Sequence, residues 1–247
     1  EVVAAPYVEH EVDVPREHVR DRDGRLVGDS GRARGLEQRT RDRGARGAHV
    51  ALERVLGNVR PEAVVGARDA TEAGLRRAER VAKILAAEGL TIVSGLARGI
   101  DTVAHQTAIA MGSGTIAVLG GPLDNVQPTS NRGLFRLIAE SHLAISQFAS
   151  GYPILRSNYP QRNRTMALIA DASIIVEAGE GSGTLSQGWE ALRLGRPLFL
   201  LRSVVENESL SWPKEMMKYG ALVLGEPEDL FDVLPYAGSD AAAQLAF

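Results

Sequence analysis

The sequence predicts an α/β fold, a Rossmann-like doubly wound domain whose mostly parallel sheet carries helices on both faces. Two observations predict it. From Pro61 to about residue 235, short apolar stretches alternate with segments of helical periodicity. The apolar stretches do not alternate with polar residues, which indicates strands buried on both faces, as in a parallel sheet covered by helices.

The elements follow one another in a regular order. The first strand is expected at 62–66, where an apolar run ends in Gly66, and Thr71 is placed to N-cap the helix that follows. Further strands are expected at 90–94, 114–120, 143–146, 172–177, 197–201 and 221–224. The helices between and after them are expected at 100–111, 130–140, 162–170, 184–194 and 226–234.

Composition excludes several classes of protein. The chain has 247 residues, 44% of them hydrophobic and 24% charged, which suits one α/β domain with an appendage. Without cysteine it has no disulfide, no cysteine-bound zinc and no thiol nucleophile. Its five histidines do not occur at metal-ligand spacing, so neither a metal nor a cofactor is expected. No apolar run approaches the ~18 residues of a membrane span, and a cytoplasmic protein without membrane contact is expected.

The two ends of the chain differ from the predicted domain over 61–235. Residues 1–60 are rich in arginine, broken by glycine and without apolar periodicity, so we expect a poorly structured segment. Between Arg16 and Arg46, ten arginines face six acids, a balance of +4 in a chain of net charge −3. A basic arm and a plain linker are both open, with the linker favoured. Residues 236–247 are expected to form a frayed tail.

Ligands of open parallel sheets bind beyond the carboxyl ends of the strands, so the turns at those ends are the candidates for a site. In the turn after the first strand, Gly66 allows a tight bend and Arg68 can reach an anion. The turn over 94–101 offers a hydroxyl, backbone amides and a charge from Ser94, Gly95, Arg98 and Gly99. In the same turn, Asp101 is expected to N-cap the next helix, with His105 beside it on the helix surface.

Two later turns also favour anions. Arg162, Asn163 and Arg164 are expected in the first turn of a helix, where positive charge opposes the helix dipole, so an anionic ligand is indicated. In the turn that follows Glu177, the glycines and hydroxyls over 179–184 form a candidate phosphate nest. It is not a Walker A loop, because no lysine precedes Thr184. Together these turns predict a nucleotide or phosphodiester site, without deciding whether the ligand is held or cleaved.

The same segments, in the same order, resemble the DprA/Smf family of DNA-processing proteins. The resemblance rests on VVGAR at 64–68, SGLARGID at 94–101, IAVLG at 116–120, NYPQRNR at 158–164 and the stretch 176–185. The octapeptide and the box Arg162-Asn163-Arg164 are highly specific in combination. Tyr159 and Gln161 stand where this family commonly has phenylalanine and a basic residue, so the chain is identified as a divergent member.

The resemblance implies a protein that is not an enzyme and binds the backbone of single-stranded DNA in a basic pocket. It also implies a homodimer that delivers the strand to a RecA-type recombinase in natural transformation. At matching positions it implies phosphate contacts from Arg162 and Arg164, oriented by Asn163. The other residues implied are Arg68, Ser94, Gly95, Arg98, Gly99, Ser182, Gly183 and Thr184 for binding, with Gly66, Asp101 and Glu177 in structural roles.

Two alternatives remain open from the sequence. One is an enzyme similar to the LOG phosphoribohydrolases, which cleave nucleoside monophosphates with a glutamate in a P-G-G-x-G-T-x-x-E loop. Aligning Gly183-Thr184 with that loop places Gln187 at the glutamate position, and an amide cannot exchange protons there. The other is a domain that senses a small nucleotide without turning it over, in which case a mononucleotide would outcompete an oligonucleotide.

Overall fold

A seven-stranded, wholly parallel sheet forms the centre of the molecule in the computed structural model, which describes residues 59–234. The strands are β1 Pro61–Val65, β2 Thr91–Ser94, β3 Thr115–Leu119, β4 Leu143–Ser146, β5 Ala172–Ile175, β6 Leu198–Leu201 and β7 Leu222–Leu224. The helices are α1 Glu72–Ala87, α2 Ile100–Ala110, α3 Arg132–Ser141, α4 Asn158–Ile169, α5 Leu185–Arg193, α6 Arg202–Val205 and α7 Trp212–Lys218. The predicted tail over 236–247 and residues 1–58 of the predicted N-terminal segment lie outside the described residues.

The order of the strands creates a switch point. Across the sheet the order is β4-β3-β2-β1-β5-β6-β7, so the chain first moves from β1 toward β4 and then returns to the other side of β1. Helices α1 and α2 pack together, and so do α4 and α5. Because β-α-β crossovers are right-handed, the reversal places these two pairs on opposite faces, as predicted. The crevice between the carboxyl ends of β1 and β5 is where such sheets bind ligands.

The core follows the apolar patterns of the sequence. All residues of β1, β3, β5 and β6 are buried. Helix α1 buries one stripe, which includes Ala78, Val81 and Leu85, and begins as predicted with the Thr71 Oγ accepting a hydrogen bond from the Gly74 N–H at 2.9 Å. The Thr71 N–H also donates to the Glu177 carboxylate at 2.8 Å, which holds the first turn of α1 close to the carboxyl end of β5.

Several predicted elements differ from the structure. Helix α4 begins at Asn158 rather than 162, so the arginine box lies in its first two turns instead of opening it. Helices α6 and α7 were not predicted, although Pro213 near the N-terminus of α7 and Lys218 in its last turn are typical helix signals. The predicted helix over 226–234 is a 3₁₀ helix at Pro227–Asp232.

On α5, Leu185, Trp189 and Leu192 recur at helical spacing, which predicts three core residues, and the structure does not bury them as predicted. All three are only half-buried, whereas Gln187, Gly188 and Ala191 are the buried residues of α5. The reason is close packing, since a Cβ at Gly188 would lie 3.0 Å from the Met216 side chain and 3.1 Å from that of Ile175. Small residues therefore face the sheet, and the large apolar residues flank them.

Candidate functional site

A pocket of about 400 Å³ opens at the switch point. It is lined by the β1–α1 turn over 65–69, by Ala97 and Asp101 from the segment after β2, by α4 and by the turn over 182–184. The helix contributes Tyr159, Arg162, Asn163 and Met166. The turns after β1, β2 and β5 and the first turns of α4 thus meet at one place, called here the switch-point pocket.

The β1–α1 turn presents one exposed guanidinium. Arg68 is exposed, and its guanidinium lies 5.2 Å from the centre of the Tyr159 ring, a cation–π contact. The ring rests against Gly120, where a Cβ would come within 2.8 Å of it. Glycine is also required at position 66 of this turn, because a Cβ there would lie 2.5 Å from Ile100 and 2.9 Å from the Glu177 carbonyl oxygen. The Arg68 guanidinium is therefore held at the mouth of the pocket by the Tyr159 ring, which itself packs on the backbone at Gly120.

Asp101 is buried and braces the turn before α2. Its Oδ2 accepts hydrogen bonds from the Gly95 N–H at 3.1 Å and the Ala97 N–H at 3.3 Å. The prediction that Asp101 would N-cap α2 is wrong, since the N-cap is Gly99, which has a φ of +74°. Burial raises the pKa of Asp101, and the charge of Arg162 opposes part of that rise.

Two other residues of this region face the interior. Ser94 is buried, and its Oγ donates to the Val64 carbonyl oxygen at 2.7 Å, so the hydroxyl ties β2 to β1 rather than pointing at a ligand. His105 is fully buried rather than on the helix surface, because α2 presents it to Thr115, whose Oγ1 lies 2.7 Å from Nδ1. Burial lowers the pKa of His105 to about 3, so the imidazole is neutral at physiological pH.

Arg98 and Gly99 lie at the rim of the turn. Arg98 is exposed and forms an ion pair with Asp69 at 3.1 Å. An added Cβ at Gly99 would overlap the Ala67 carbonyl oxygen, so glycine is needed both for its φ and for the close approach of the two turns. Arg98 can offer its charge to a ligand only in competition with Asp69.

Arg162 is buried below the pocket. It is 5% exposed, its Nη1 donates to the Val118 carbonyl oxygen at 3.0 Å, and an added Cβ at Gly95 would overlap its guanidinium. Burial lowers the pKa of Arg162, and the nearby Asp101 charge raises it again. Glycine at position 95 therefore leaves the space that the Arg162 guanidinium occupies. The guanidinium forms part of the pocket wall and does not project from the surface.

The remaining members of the box differ from each other. The Asn163 Nδ2 donates to the Gly183 carbonyl oxygen at 3.1 Å and to the Ser186 Oγ at 2.6 Å. Asn163 thus holds the turn after β5 and does not orient the arginines, contrary to the expectation from the sequence. Arg164 is half-buried and is not among the residues that line the switch-point pocket.

The turn after β5 is tied to the turn after β1. The Thr184 Oγ1 donates to the Gly66 carbonyl oxygen at 2.9 Å, and the Thr184 N–H donates to the Ser182 Oγ at 3.2 Å. Within residues 59–234 the exposed Gly183 N–H has no acceptor, so it is free to bind an oxyanion. These ties fix the floor of the pocket between the two strands.

Glu177 and Gln187 complete the structural frame. The Glu177 carboxylate accepts from the Thr71 N–H at 2.8 Å and the Thr71 Oγ1 at 2.5 Å, and it packs on Gly74 at the start of α1, where the helix dipole favours negative charge. Gln187 is fully buried at the base of the pocket, with its amide 3.0 Å from the Ser173 Oγ. Glu177 is not among the residues that line the pocket, and the Gln187 side chain is an amide that does not exchange protons.

Sequence reasoning missed Tyr159, Asp69 and Met166 as lining residues. Tyr159 carried a signal, since an aromatic residue next to a basic box is typical of nucleic-acid sites. Asp69 and Met166 carried none that separates them from ordinary surface and core residues. In the described part of the chain, no cluster of three His, Cys, Asp or Glu side chains could hold a metal ion, and no helix is long and apolar enough to cross a membrane.

Comparison with known proteins adds to this geometry. A family model described as DNA recombination-mediator protein A matches residues 53–235. The chain belongs to this family. The resemblance to the DprA/Smf family is thereby confirmed.

Individual relatives agree with the family model. Protein Smf from Escherichia coli is 36% identical over 175 residues, which are 70% of this chain and 47% of Smf. The X-ray structure of DprA from Streptococcus pneumoniae has a TM-score of 0.66 and 34% identity, over 71% of this chain and 62% of that one. A structure of DprA from Helicobacter pylori is described for its single-stranded DNA binding mode. It has a TM-score of 0.65 and 26% identity, over 73% of this chain and 82% of that one. The chain spans about half the length of the curated relatives it matches.

Proposed function

We propose that this domain binds the backbone of single-stranded DNA in the switch-point pocket and acts as a recombination mediator. The observation that carries the proposal is the exposed Arg68 guanidinium, stacked on Tyr159 at the mouth of a pocket that also offers the free Gly183 N–H. A phosphate at the mouth of the pocket would accept hydrogen bonds from the charged Arg68 guanidinium, after β1, and from the Gly183 N–H, after β5. The H. pylori relative is described by its single-stranded DNA binding mode.

The other predicted residues fall into two roles in this proposal. Arg98, Ser182 and Arg162 add polar atoms or positive charge around the phosphate position, and Arg162 acts through its field because it is buried. The frame that keeps the pocket open is formed by Gly66, Ser94, Gly95, Gly99, Asp101, Asn163, Glu177 and Thr184. Arg164, which lies outside the pocket lining, could contact only a part of the strand that has left the pocket.

The proposal extends to the assembly and to its partner. We propose a homodimer in the cytoplasm that delivers the strand to a RecA-type recombinase, as the resemblance to the family implies. Strand β7 is an edge strand on which Leu222 and Val223 are 38% and 40% exposed. Exposed apolar residues on an unpaired edge support self-association through that edge.

The test is a titration of labelled single-stranded oligonucleotide by fluorescence anisotropy at several salt concentrations, with AMP as competitor. We expect tight binding that weakens steeply with salt and is unaffected by AMP, because backbone contacts release counterions. Arg68→Ala should weaken binding about tenfold or more, whereas Arg193→Ala, which removes an exposed arginine paired with Glu190, should not. Unchanged binding by Arg68→Ala would show that the pocket is not the site.

One observation favours a second candidate, a nucleotide-sensing domain. A volume of about 400 Å³ lies in the range of sites for small ligands, ~300–1,000 Å³. Displacement of the oligonucleotide by AMP would favour this candidate. Hydrolysis is disfavoured, because the residue at the position of the catalytic glutamate is the buried amide of Gln187.

A further inference from the structure

A second concave site lies on the same edge of the sheet, beyond the carboxyl ends of β6 and β7. This pocket of about 280 Å³ is lined by α1, by the start of α6 and by the segment after β7. Three arginines, Arg77, Arg80 and Arg202, surround it. Its strands are the next two along from β5, so it lies roughly 10 Å from the switch-point pocket at ~4.8 Å per strand.

The charges of this site are not all neutralised. Arg80 forms an ion pair with Glu226 at 2.7 Å, and Glu226 also caps the 3₁₀ helix after β7. In the described part of the chain, the side chains of Arg77 and Arg202 have neither an ion pair nor a hydrogen bond. Glu206 also lines the pocket, and the Asp229 carboxylate lies beside Gly225 close to the Arg202 guanidinium. Within residues 59–234, neither acid forms an ion pair with Arg77 or Arg202. Two guanidinium groups are therefore available to an anion.

The backbone positions one of these groups. An added Cβ at Gly225 would overlap the Arg202 guanidinium, so the absence of a side chain at 225 lets Arg202 lie against the chain at the wall of the pocket. Arg77 projects from α1, the helix whose N-cap Thr71 is held by Glu177 beside the switch-point pocket. From Thr71 to Arg77 the helix rises ~9 Å. One helix thus connects the two sites.

We infer that Arg77 and Arg202 form a second phosphate-binding site, which takes a backbone phosphate of the same single strand after it has left the switch-point pocket. Guanidinium groups suit phosphate oxygens because their planar fork of donors matches them. A single strand that follows a basic groove engages several nucleotides at once, so phosphates away from the first pocket need their own contacts. The inference rests on the proposed function, since the strand must enter the first pocket.

The length of the strand separates the two sites. A thymidine dinucleotide, which has a single phosphodiester, can occupy only one site at a time and should fill the switch-point pocket, whereas an oligothymidylate of about 16 nucleotides should reach both sites. Arg77→Ala combined with Arg202→Ala should weaken binding of the long oligonucleotide about tenfold and leave the short one unchanged. The slope of log affinity against log salt should fall by ~0.7 for each phosphate that the variant no longer neutralises.

Two further variants control the test. Gly225→Ala keeps both charges but displaces the Arg202 guanidinium, so it should produce a smaller decrease in affinity, for the long strand only. Arg76→Ala, one position along α1 from Arg77, removes an arginine already paired with Glu72 at 2.6 Å and should leave both affinities unchanged. Circular dichroism of each variant checks that the fold is retained.

The outcomes that overturn the inference are distinct from those that overturn the proposed function. If the double variant bound the long strand like the wild type, or bound both lengths equally weakly, there would be no second site for the strand. If it failed to bind inorganic phosphate but kept the long strand, the site would serve a free anion. If the wild type bound neither oligonucleotide, the proposed function itself would fail.

Discussion

Arg162→Ala should destabilise the domain, because its guanidinium is part of the interior. The substitution removes a hydrogen bond from a charged donor to the Val118 carbonyl oxygen, and such bonds contribute ~1.5–3 kcal/mol. It also leaves Asp101 buried without the nearby positive charge that opposes the rise of its pKa. Loss of a buried, hydrogen-bonded charge is among the larger effects of a single substitution, so we expect a decrease of about 3–4 kcal/mol in the free energy of unfolding. For a domain of this size that lowers Tm by roughly 6–16 °C.

The size of this decrease should depend on pH. Without Arg162, the pKa of Asp101 in the folded protein rises further above its unfolded value, so the folded state binds more protons. The part of the decrease that is due to Asp101 is therefore absent below the pKa that Asp101 has in the folded wild type, and it grows as pH rises from there to the higher folded pKa of the variant. Adding Asp101→Asn to the variant should recover part of the stability at pH 7, because no charge is then buried.

Urea unfolding followed by circular dichroism at pH 7 and at about pH 4 measures both effects. The exposed Arg136 of α3 provides the matched control, and Arg136→Ala should change stability by no more than ~0.5 kcal/mol. If Arg162→Ala were as stable as the control at pH 7, the guanidinium would not be a component of the core. The buried contacts described above would then be refuted as the reason for its position.

Three other predictions concern single residues. Because the pKa of His105 is lowered to about 3 by burial, unfolding should become easier as pH falls below ~6.5, and His105→Gln should reduce that dependence in acid titrations. Gly99→Ala should cost ~1–3 kcal/mol in thermal unfolding, more than Gly112→Ala, which has a similar φ of +69° but open space around it. Tyr159→Phe should retain oligonucleotide binding, whereas Tyr159→Leu should weaken it two- to fivefold, because it removes a cation–π interaction with Arg68 of ~0.5–1 kcal/mol; equal affinities would contradict the stack.

The order of strands and helices was predictable because each apolar run is short and bounded by glycine or polar residues. The turns of the site were predictable as well, since the carboxyl ends of parallel strands must share one edge. The direction of individual side chains was not. Ser94, Arg162 and His105 are polar in sequence, and only the packing of strands and helices shows that all three face the interior.

A similar limit applies to the two arginines of the box. Arg162 and Arg164 are two positions apart in the same helix, so they point in directions about 200° apart, and only one can face the sheet. Nothing in the local sequence shows which one it is. The selecting feature is Gly95, on another element, whose missing side chain creates the space that the Arg162 guanidinium occupies.

The hydrogen bonds between the turns after β1 and β5 determine which partner must change shape on binding. The Ala67 N–H donates to the Glu177 carbonyl oxygen at 2.7 Å, and the Thr184 Oγ1 donates to the Gly66 carbonyl oxygen. These two hydrogen bonds join the turn after β1 to the turn after β5, so the crevice is preorganised in the free protein. The ordering cost of association then falls on the nucleic acid instead of the domain. Pyrimidine strands, which stack weakly and bend easily, should therefore bind more tightly than stacked purine strands of equal length and charge. Discrimination of this kind would depend on the stiffness of the ligand and would need no contact with a base.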